Sequence, residues 1–195
     1  VLEYGWNSTA YQILNPGFEL WFSRLHPAVV GYVRAGGRRV VGGGPVAADS
    51  DLRDVTEEFE RDSRAAGAGV VYFGAEERLE ALYRGTKTHT AILLGAQPSW
   101  DPADWAGIIA THSSLRAQLN RARNKGVSVS LWPSDRAERS PELKTLLQEW
   151  LGTRGLPPLH FLVEPETLGK LRDRRVFVAT RGEVPVVFLL ASRIP

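Results

Sequence analysis

Four cations on one predicted helix are the side chains best suited to binding chemistry in this sequence. The segment 113–126 opens on serines and closes on a glycine, as helices commonly do. At about 100° per residue, Leu115, Leu119 and Ala122 share one narrow apolar face. The two flanks of that face carry only basic charges: Arg116, Arg121, Arg123 and Lys125. We call this segment the basic helix.

Two interpretations of the basic helix are open. It is either a solvated helix beside the core or a docking surface for a polyanion, such as tRNA or an anionic lipid headgroup. The whole chain has a net charge of only +2 and a pI near 9.1, which is too mild for anion binding over its entire surface. Any such role must therefore come from local clustering of the charges.

A second candidate site lies near the amino terminus, where Trp6, Ser8 and Thr9 lie close together. Hydroxyl groups beside an aromatic ring can hold a polar substrate. Together with Asn7, the same residues could instead cap a first helix. Both interpretations are open.

The glycine run 42–45 resembles a phosphate cradle only superficially. It has neither the spacing of a dinucleotide fingerprint nor the lysine and serine of a P-loop. Asp49 and Asp51 at the following helix start would repel a phosphate. We therefore expect a tight loop at the exit of a strand.

Several kinds of reaction centre are excluded or disfavoured. The chain has no cysteine, and none of its four histidines has the spacing of a metal-binding motif. No Gly-x-Ser-x-Gly elbow is present, which argues against a serine hydrolase. We predict no metal and no cofactor, and we assign no catalytic residue.

The spacing of apolar residues predicts alternating strands and helices, and hence an α/β or α+β fold. In the first half, the pattern predicts a strand at 18–22, a hairpin of 28–33 with 39–41, a helix at 52–66, a strand at 70–73, a helix at 76–83 and a strand at 88–94. In the second half, it predicts a helix start at 101–104, which continues into the basic helix either as one bent helix or as two helices. It then predicts a strand at 127–132, a helix from 140 to 151, a short helix at 164–171, and a hairpin of 175–180 with 184–190.

The 195 residues suffice for one large domain or two small ones. No apolar run approaches the roughly 18 residues that span a bilayer, and no signal peptide is visible, so we expect a soluble, cytoplasmic chain. The chain begins at Val1 and contains no methionine. We expect from this a processed or excised segment of a longer product.

Several blocks, taken together, resemble one known family. They are 5–17 (GWNSTAYQILNPG), 33–45 (ending in GGGP), 71–75 (VYFGA), 114–127 (SLRAQLNRARNKGV) and 174–195 (RRVFVATRGEVPVVFLLASRIP). The chain resembles the C-terminal domain of phosphatidylglycerol lysyltransferases and their uncharacterised soluble relatives, the DUF2156 group. The block within the basic helix is the most specific of the five.

The resemblance implies a tandem of GNAT-like acyltransferase folds with mixed sheets flanked by helices. The first unit would cover 1–110 and be complete. Residues 111–126, which include the basic helix, would form a bridge between the units. The second unit would cover 127–195 and would be truncated after its first hairpin. Members of the lipid-modifying kind transfer an amino acid from aminoacyl-tRNA to a hydroxyl of phosphatidylglycerol.

The resemblance also implies partners and a location. Aminoacyl-tRNA and an anionic phospholipid headgroup would be the partners, at the inner face of the membrane. The substrate-binding residues would be Trp6, Ser8, Thr9, Arg116, Asn120, Arg121, Arg123 and Lys125. Two alternatives stay open: a GNAT-type acyltransferase that uses acyl-CoA on a soluble amine, and a non-catalytic GNAT-like binding domain.

Overall fold

The computed structural model describes residues 1–96, 98–153, 167–169 and 171–192. These residues form two compact units. The first unit comprises residues 1–93 together with Ser192, and the second comprises the described residues from 94 to 191. The basic helix belongs to the second unit.

The first unit is a four-stranded sheet with helices. Its elements are α1 (Ser8–Gln12), β1 (Glu19–Phe22), β2 (Val29–Ala35), β3 (Arg38–Gly42), α2 (Leu52–Ala65), β4 (Gly69–Phe73) and α3 (Glu77–Tyr83). The strand order is β1-β2-β3-β4, antiparallel except for the parallel pair of β3 and β4. Helix α2 makes the crossover between those two parallel strands, as parallel pairing requires.

The core of the first unit lies between the sheet and α2. Phe59 and Val55 of α2 are fully buried and pack with Val30, Tyr32 and Val41 of the central strands. The two-residue turn between β2 and β3 consists of Gly36 and Gly37, both at positive φ (55° and 71°), the geometry that a tight hairpin needs.

The second unit has a three-stranded sheet in the order β5-β6-β7. Its elements are α4 (Trp105–Thr111), α5 (Ser113–Asn124), β5 (Val127–Trp132), α6 (Ser134–Arg139), α7 (Pro141–Gly152), β6 (Arg174–Arg181) and β7 (Val184–Ser192). Strands β5 and β6 are antiparallel, with Trp132 opposite Val176. Ala137 of α6 and Leu143 of α7 pack on one face of this sheet.

Most predicted elements are confirmed, within a few residues at their ends. The helix start at 101–104 is also confirmed, because the Asp101 side chain accepts a hydrogen bond from Ala103 N at 2.8 Å. The chain then forms two helices, not one, since His112 between α4 and α5 has extended backbone (φ −106°, ψ 95°). The short helix α6 was not predicted.

The predicted strand at 88–94 is wrong, because the described residues form no strand there. Ile92, Leu93 and Leu94 are 78%, 92% and 68% exposed, so their apolar run does not pack into a sheet. Of the predicted helix 164–171, residues 167–169 form one 3₁₀ turn, and 164–166 and 170 lie outside the described residues.

Candidate functional site

The basic helix is α5, and its predicted apolar face is confirmed. Leu115, Leu119 and Ala122 are the half-buried residues of α5, and all its other residues are exposed. None is fully buried. The helix therefore lies on the surface of the second unit, with its cations toward solvent.

Arg116 differs from the other cations of this helix because its charge is used inside the unit. Its Nη1 donates hydrogen bonds to the carbonyl oxygens of Ala110 and, at 2.9 Å, of Ile109. These carbonyls belong to the last turn of α4, where the partial negative charge of a helix end attracts a cation. Arg116 thus ties α4 to α5, and its contact with a substrate stays a prediction.

Arg121, Arg123 and Lys125 form the cationic end of the basic helix. All three are exposed, and no described carboxylate lies within ion-pair distance of them. Asn120 is exposed as well. These side chains are accessible to an anionic partner.

The backbone around Gly126 fixes the position of this cationic end. Gly126 has a positive φ of 72°, and its N–H donates to the Arg123 carbonyl at 2.9 Å. This is the geometry of a glycine that terminates a helix. Strand β5 begins at the next residue, so the last turn of the basic helix is anchored directly to the sheet.

The amino-terminal cluster does cap a helix. The Asn7 side-chain oxygen accepts a hydrogen bond from Ala10 N at 2.8 Å, and its amide nitrogen donates to Glu76 at 2.9 Å. The capping interpretation is therefore confirmed for Asn7. Ser8 begins α1, and its side chain lies outside the described part of the structure.

The structure brings this cluster together with the glycine run, which the sequence had left separate. Gly43 has a positive φ of 75°, and its N–H donates to the Phe73 carbonyl at 2.7 Å. A Cβ atom on Gly43 would lie 3.3 Å from Thr9, and one on Gly44 would lie 3.5 Å from Trp6. The expected tight loop at the strand exit is thus confirmed, and α1 packs on it.

Trp6 also packs against a cation. The Arg78 guanidinium lies 5.4 Å from the centre of the Trp6 ring. Arg78 itself is held by Asp49 at 2.5 Å and by the Ala47 carbonyl at 2.7 Å. Because Asp49 holds Arg78 in place, it acts as a structural anchor in the first unit. The Trp6 indole N–H is buried and has no hydrogen-bond partner among the described residues.

A buried polar cluster around Glu60 was missed by the sequence reasoning. Glu60 accepts hydrogen bonds from the hydroxyls of Tyr72 (3.1 Å) and Tyr83, and His89 Nε2 lies 3.2 Å from the same oxygen. Burial is the main cause that raises the pKa of both tyrosines above the ordinary value. Glu60 lies beside the predicted apolar face of its helix, and no sequence signal separated it from a solvated acid.

The histidines form no metal centre in the described residues. No group of three or more His, Cys, Asp or Glu side chains there is arranged to hold a metal ion. His26 pairs with Asp51 at 3.4 Å and with Asp54 at 3.8 Å. The His89 ring lies on the Tyr83 ring, with 3.7 Å between centroids.

Comparison with known proteins places this geometry in a family. The family model described as the C-terminal domain of phosphatidylglycerol lysyltransferase matches residues 1–194. The chain belongs to that family. The match covers both units, the amino-terminal cluster and the basic helix.

Two solved structures resemble the chain. L-PGS from Bacillus licheniformis is 19% identical, with a TM-score of 0.64 over 98% of this chain and 59% of that one. The C-terminal domain (DUF2156) of a candidate lysylphosphatidylglycerol synthetase from Agrobacterium fabrum is 16% identical, with a TM-score of 0.66 over 97% and 60%. No curated protein matches the chain.

These comparisons confirm the GNAT-like fold, with two sheets flanked by helices. The first sheet is mixed, as expected, whereas the β5–β6 pair of the second sheet is antiparallel. The chain spans about three fifths of the length of each solved chain. Among its described residues, no helix combines the length and apolar character needed to cross a bilayer. The division at 110 and 126 into two acyltransferase folds stays a prediction.

Proposed function

We propose that this chain contributes to an aminoacyltransferase that takes an amino acid from aminoacyl-tRNA and passes it to a hydroxyl of a lipid or related acceptor. One observation carries the proposal. In a member of the lysyltransferase family, the basic helix keeps Arg121, Arg123 and Lys125 exposed and unpaired by any described acid. Such a cationic end fits the phosphates of tRNA.

The reaction requires little from the protein beyond positioning. The acceptor hydroxyl attacks the ester carbonyl that joins the amino acid to the tRNA, the new ester bond forms, and the tRNA hydroxyl leaves. Holding the two reactants together and stabilising the developing oxyanion supply most of the rate. The basic helix would serve the first of these tasks by holding the tRNA backbone. We assign the catalytic step to no residue of this chain.

A charge reversal tests the tRNA contact. We expect Arg121→Glu with Arg123→Glu to weaken tRNA binding, because two phosphate contacts become repulsions. The slope of log affinity against log salt should fall by about two, since each lost phosphate contact removes about one. Fluorescence anisotropy with labelled tRNA over a NaCl series gives both quantities.

The matched control reverses two exposed arginines of α2, Arg53→Glu with Arg61→Glu, for the same change in net charge. We expect the control to retain most of the affinity and the full slope. Equal losses in the two double variants would show that only net charge matters, and would overturn the proposal for the basic helix.

A different acyl donor is the competing function, and the GNAT-like fold is the observation that favours it. An acyltransferase of that kind would bind a CoA thioester. Thermal-shift measurements with acetyl-CoA and with tRNA on the same chain separate the two. Stabilisation by acetyl-CoA without tRNA binding would replace our proposal with this alternative.

A further inference from the structure

The second unit contains a cleft of about 500 Å³ to which no residue of the basic helix contributes. Its volume lies in the range of small-molecule sites. The lining comes from the end of β5, from α6, from the cap and start of α7, and from the β6–β7 turn with the start of β7: Trp132, Asp135, Arg136, Arg139, Ser140, Glu142, Glu183, Val184 and Pro185. The family comparison assigns no role to any of these residues.

Trp132 and Arg136 contact each other at one side of this cleft. Trp132 is 8% exposed and belongs to the core of the unit. The Arg136 guanidinium lies over its ring, 3.7 Å from the centroid. Stacking on an aromatic face fixes the guanidinium plane and leaves its N–H groups at the edge, where they can bind a carboxylate or a phosphate.

Arg136 has no ion-pair partner in the described part of the chain. The neighbouring Arg139 is paired with Asp135 at 3.6 Å, one helical turn away. The charges of Arg139 and Asp135 thus offset each other. Arg136 remains as the oriented cation of the cleft.

Two carboxylates supply the opposite charge. The Ser140 hydroxyl donates a hydrogen bond to Glu142 at 2.6 Å, and this bond, together with a smaller effect of the Arg136 charge, lowers the pKa of Glu142, so its side chain is ionised at neutral pH. Glu183, in the turn between β6 and β7, has neither an ion pair nor a hydrogen bond from its side chain among the described residues. Val184 and Pro185 add an apolar wall beside it.

We propose that this cleft binds a small zwitterion. The anionic group of the ligand would meet the Arg136 edge, its ammonium would meet Glu183 and Glu142, and its short carbon stem would lie against Val184 and Pro185. A ligand with only one charge would leave one of these groups unpaired. The proposal does not rest on the tRNA contact of the basic helix.

Two sources share this chemistry, a free amino acid and the phosphoethanolamine group of a lipid. The probes are therefore L-lysine and O-phosphoethanolamine, with ethylamine and acetate as probes that carry one charge. Nitrogen-15 NMR of the whole chain follows the Trp132 indole N–H and the Glu183 and Val184 amides. We expect saturable shifts at these signals with at least one zwitterion, and about tenfold weaker binding of the single-charge probes.

Two variants test the residues. Arg136→Gln and Glu183→Gln should each weaken zwitterion binding by at least about tenfold, because each removes a charge-assisted hydrogen bond. Glu138→Gln is the matched control, since Glu138 is an exposed acid on α6 that does not line the cleft. It should leave the affinity unchanged. The spectra themselves report whether each variant is folded.

The outcome is decisive in either direction. Binding of either zwitterion with these losses supports the proposal, and the tighter probe identifies the source. Shifts confined to other signals, equal effects of Glu138→Gln and Glu183→Gln, or no saturable shift with either zwitterion would overturn it.

Discussion

Helices α2 and α5 have similar lengths, 14 and 12 residues, but they differ in how deeply each is buried in its unit. Half of α2 is buried, including the acids Glu58 and Glu60, whereas α5 has no buried residue. Each acid buried in α2 receives hydrogen bonds from neighbouring elements, such as the Ser23 hydroxyl on Glu58 at 2.5 Å. At its carboxyl-terminal end, α5 exposes cations that no described acid pairs.

The difference shows how charge is used in this protein. The two acids buried in α2, Glu58 and Glu60, are desolvated and accept hydrogen bonds inside the first unit, so they specify the packing. Charges at the end of α5 remain hydrated, so they are available to the proposed partner at little cost to folding. Substitutions at the buried positions of α2 should therefore change stability, and those at the end of α5 should change binding.

The largest expected effect comes from the apolar face of each helix. Phe59→Ala should reduce the free energy of opening α2 by about 3–5 kcal/mol, because it leaves a cavity under the sheet. Leu119→Ala in α5 should cost about 1 kcal/mol, since Leu119 is half-buried. Native-state hydrogen exchange measures each helix separately. Similar costs would remove the contrast between the two helices.

The next effect compares two asparagines. Asn7→Ala should destabilise the first unit by about 2 kcal/mol, since it removes the cap of α1 and the bond to Glu76. Asn120→Ala on the exposed side of α5 should stay within about 0.5 kcal/mol, because alanine favours a helix. Urea unfolding, followed by amide signals of each unit, tests the pair. A cost at Asn120 as large as that at Asn7 would show that α5 is a structural helix like α2.

The alkaline pH dependence should distinguish the buried cluster from the basic helix. The pKa of Tyr72 is raised in the folded state, so the protonated Tyr72 side chain contributes fully to the free energy of unfolding below about pH 10. This contribution is lost as the pH rises beyond that value, because Tyr72 then ionises in the unfolded chain. Tyr72→Phe should cost about 1.5 kcal/mol at pH 8 and less at pH 11.

Arg121→Gln is the control for this experiment, because Arg121 is exposed on α5 in the second unit, whereas the Glu60 cluster belongs to the first. It should leave the alkaline loss of stability unchanged. Urea midpoints between pH 8 and pH 11 provide the measurement. A Tyr72→Phe cost that does not change with pH would contradict the linkage to Tyr72 ionisation.

The smallest effect lies within the basic helix. Arg116→Ala should weaken the α4–α5 corner by about 0.5–1 kcal/mol, because it leaves the carbonyls of Ile109 and Ala110 without their donor. Arg123→Ala should change stability by less than about 0.5 kcal/mol. Hydrogen exchange of the α4 amides reports the difference. Identical protection of the α4 amides in both variants would show that Arg116, like Arg123, contributes nothing to the α4–α5 corner.

Much of the fold follows from local signals. The glycines at 36–37 and 126 and the Asp101 cap mark where elements turn, end and begin, and the spacing of Leu115, Leu119 and Ala122 identified the inner face of α5. These features depend on neighbours a few residues away. The strand predicted at 88–94 fails for the opposite reason, because a strand exists only where another strand pairs with it.

The candidate site was only partly predictable. The sequence identified the cations of the basic helix as a set, and the structure separated Arg116 from the other three through carbonyls of a different helix. The glycine run and Trp6 were found individually, and their contact depends on the packing of α1 on the strand exit. Apart from Arg64, one turn further along α2, the partners of Glu60 come from β4, α3 and the loop beyond it.

The sequence by itself determined the family, the order of most elements and the cationic character of α5, because these are encoded in residue types and short spacings. Only the tertiary structure decided which charges are compensated and which remain available. It also brought Arg136 and Glu183, 47 positions apart in sequence, into one cleft. The physical reason is that burial and pairing depend on contacts between distant segments, which local spacing does not encode.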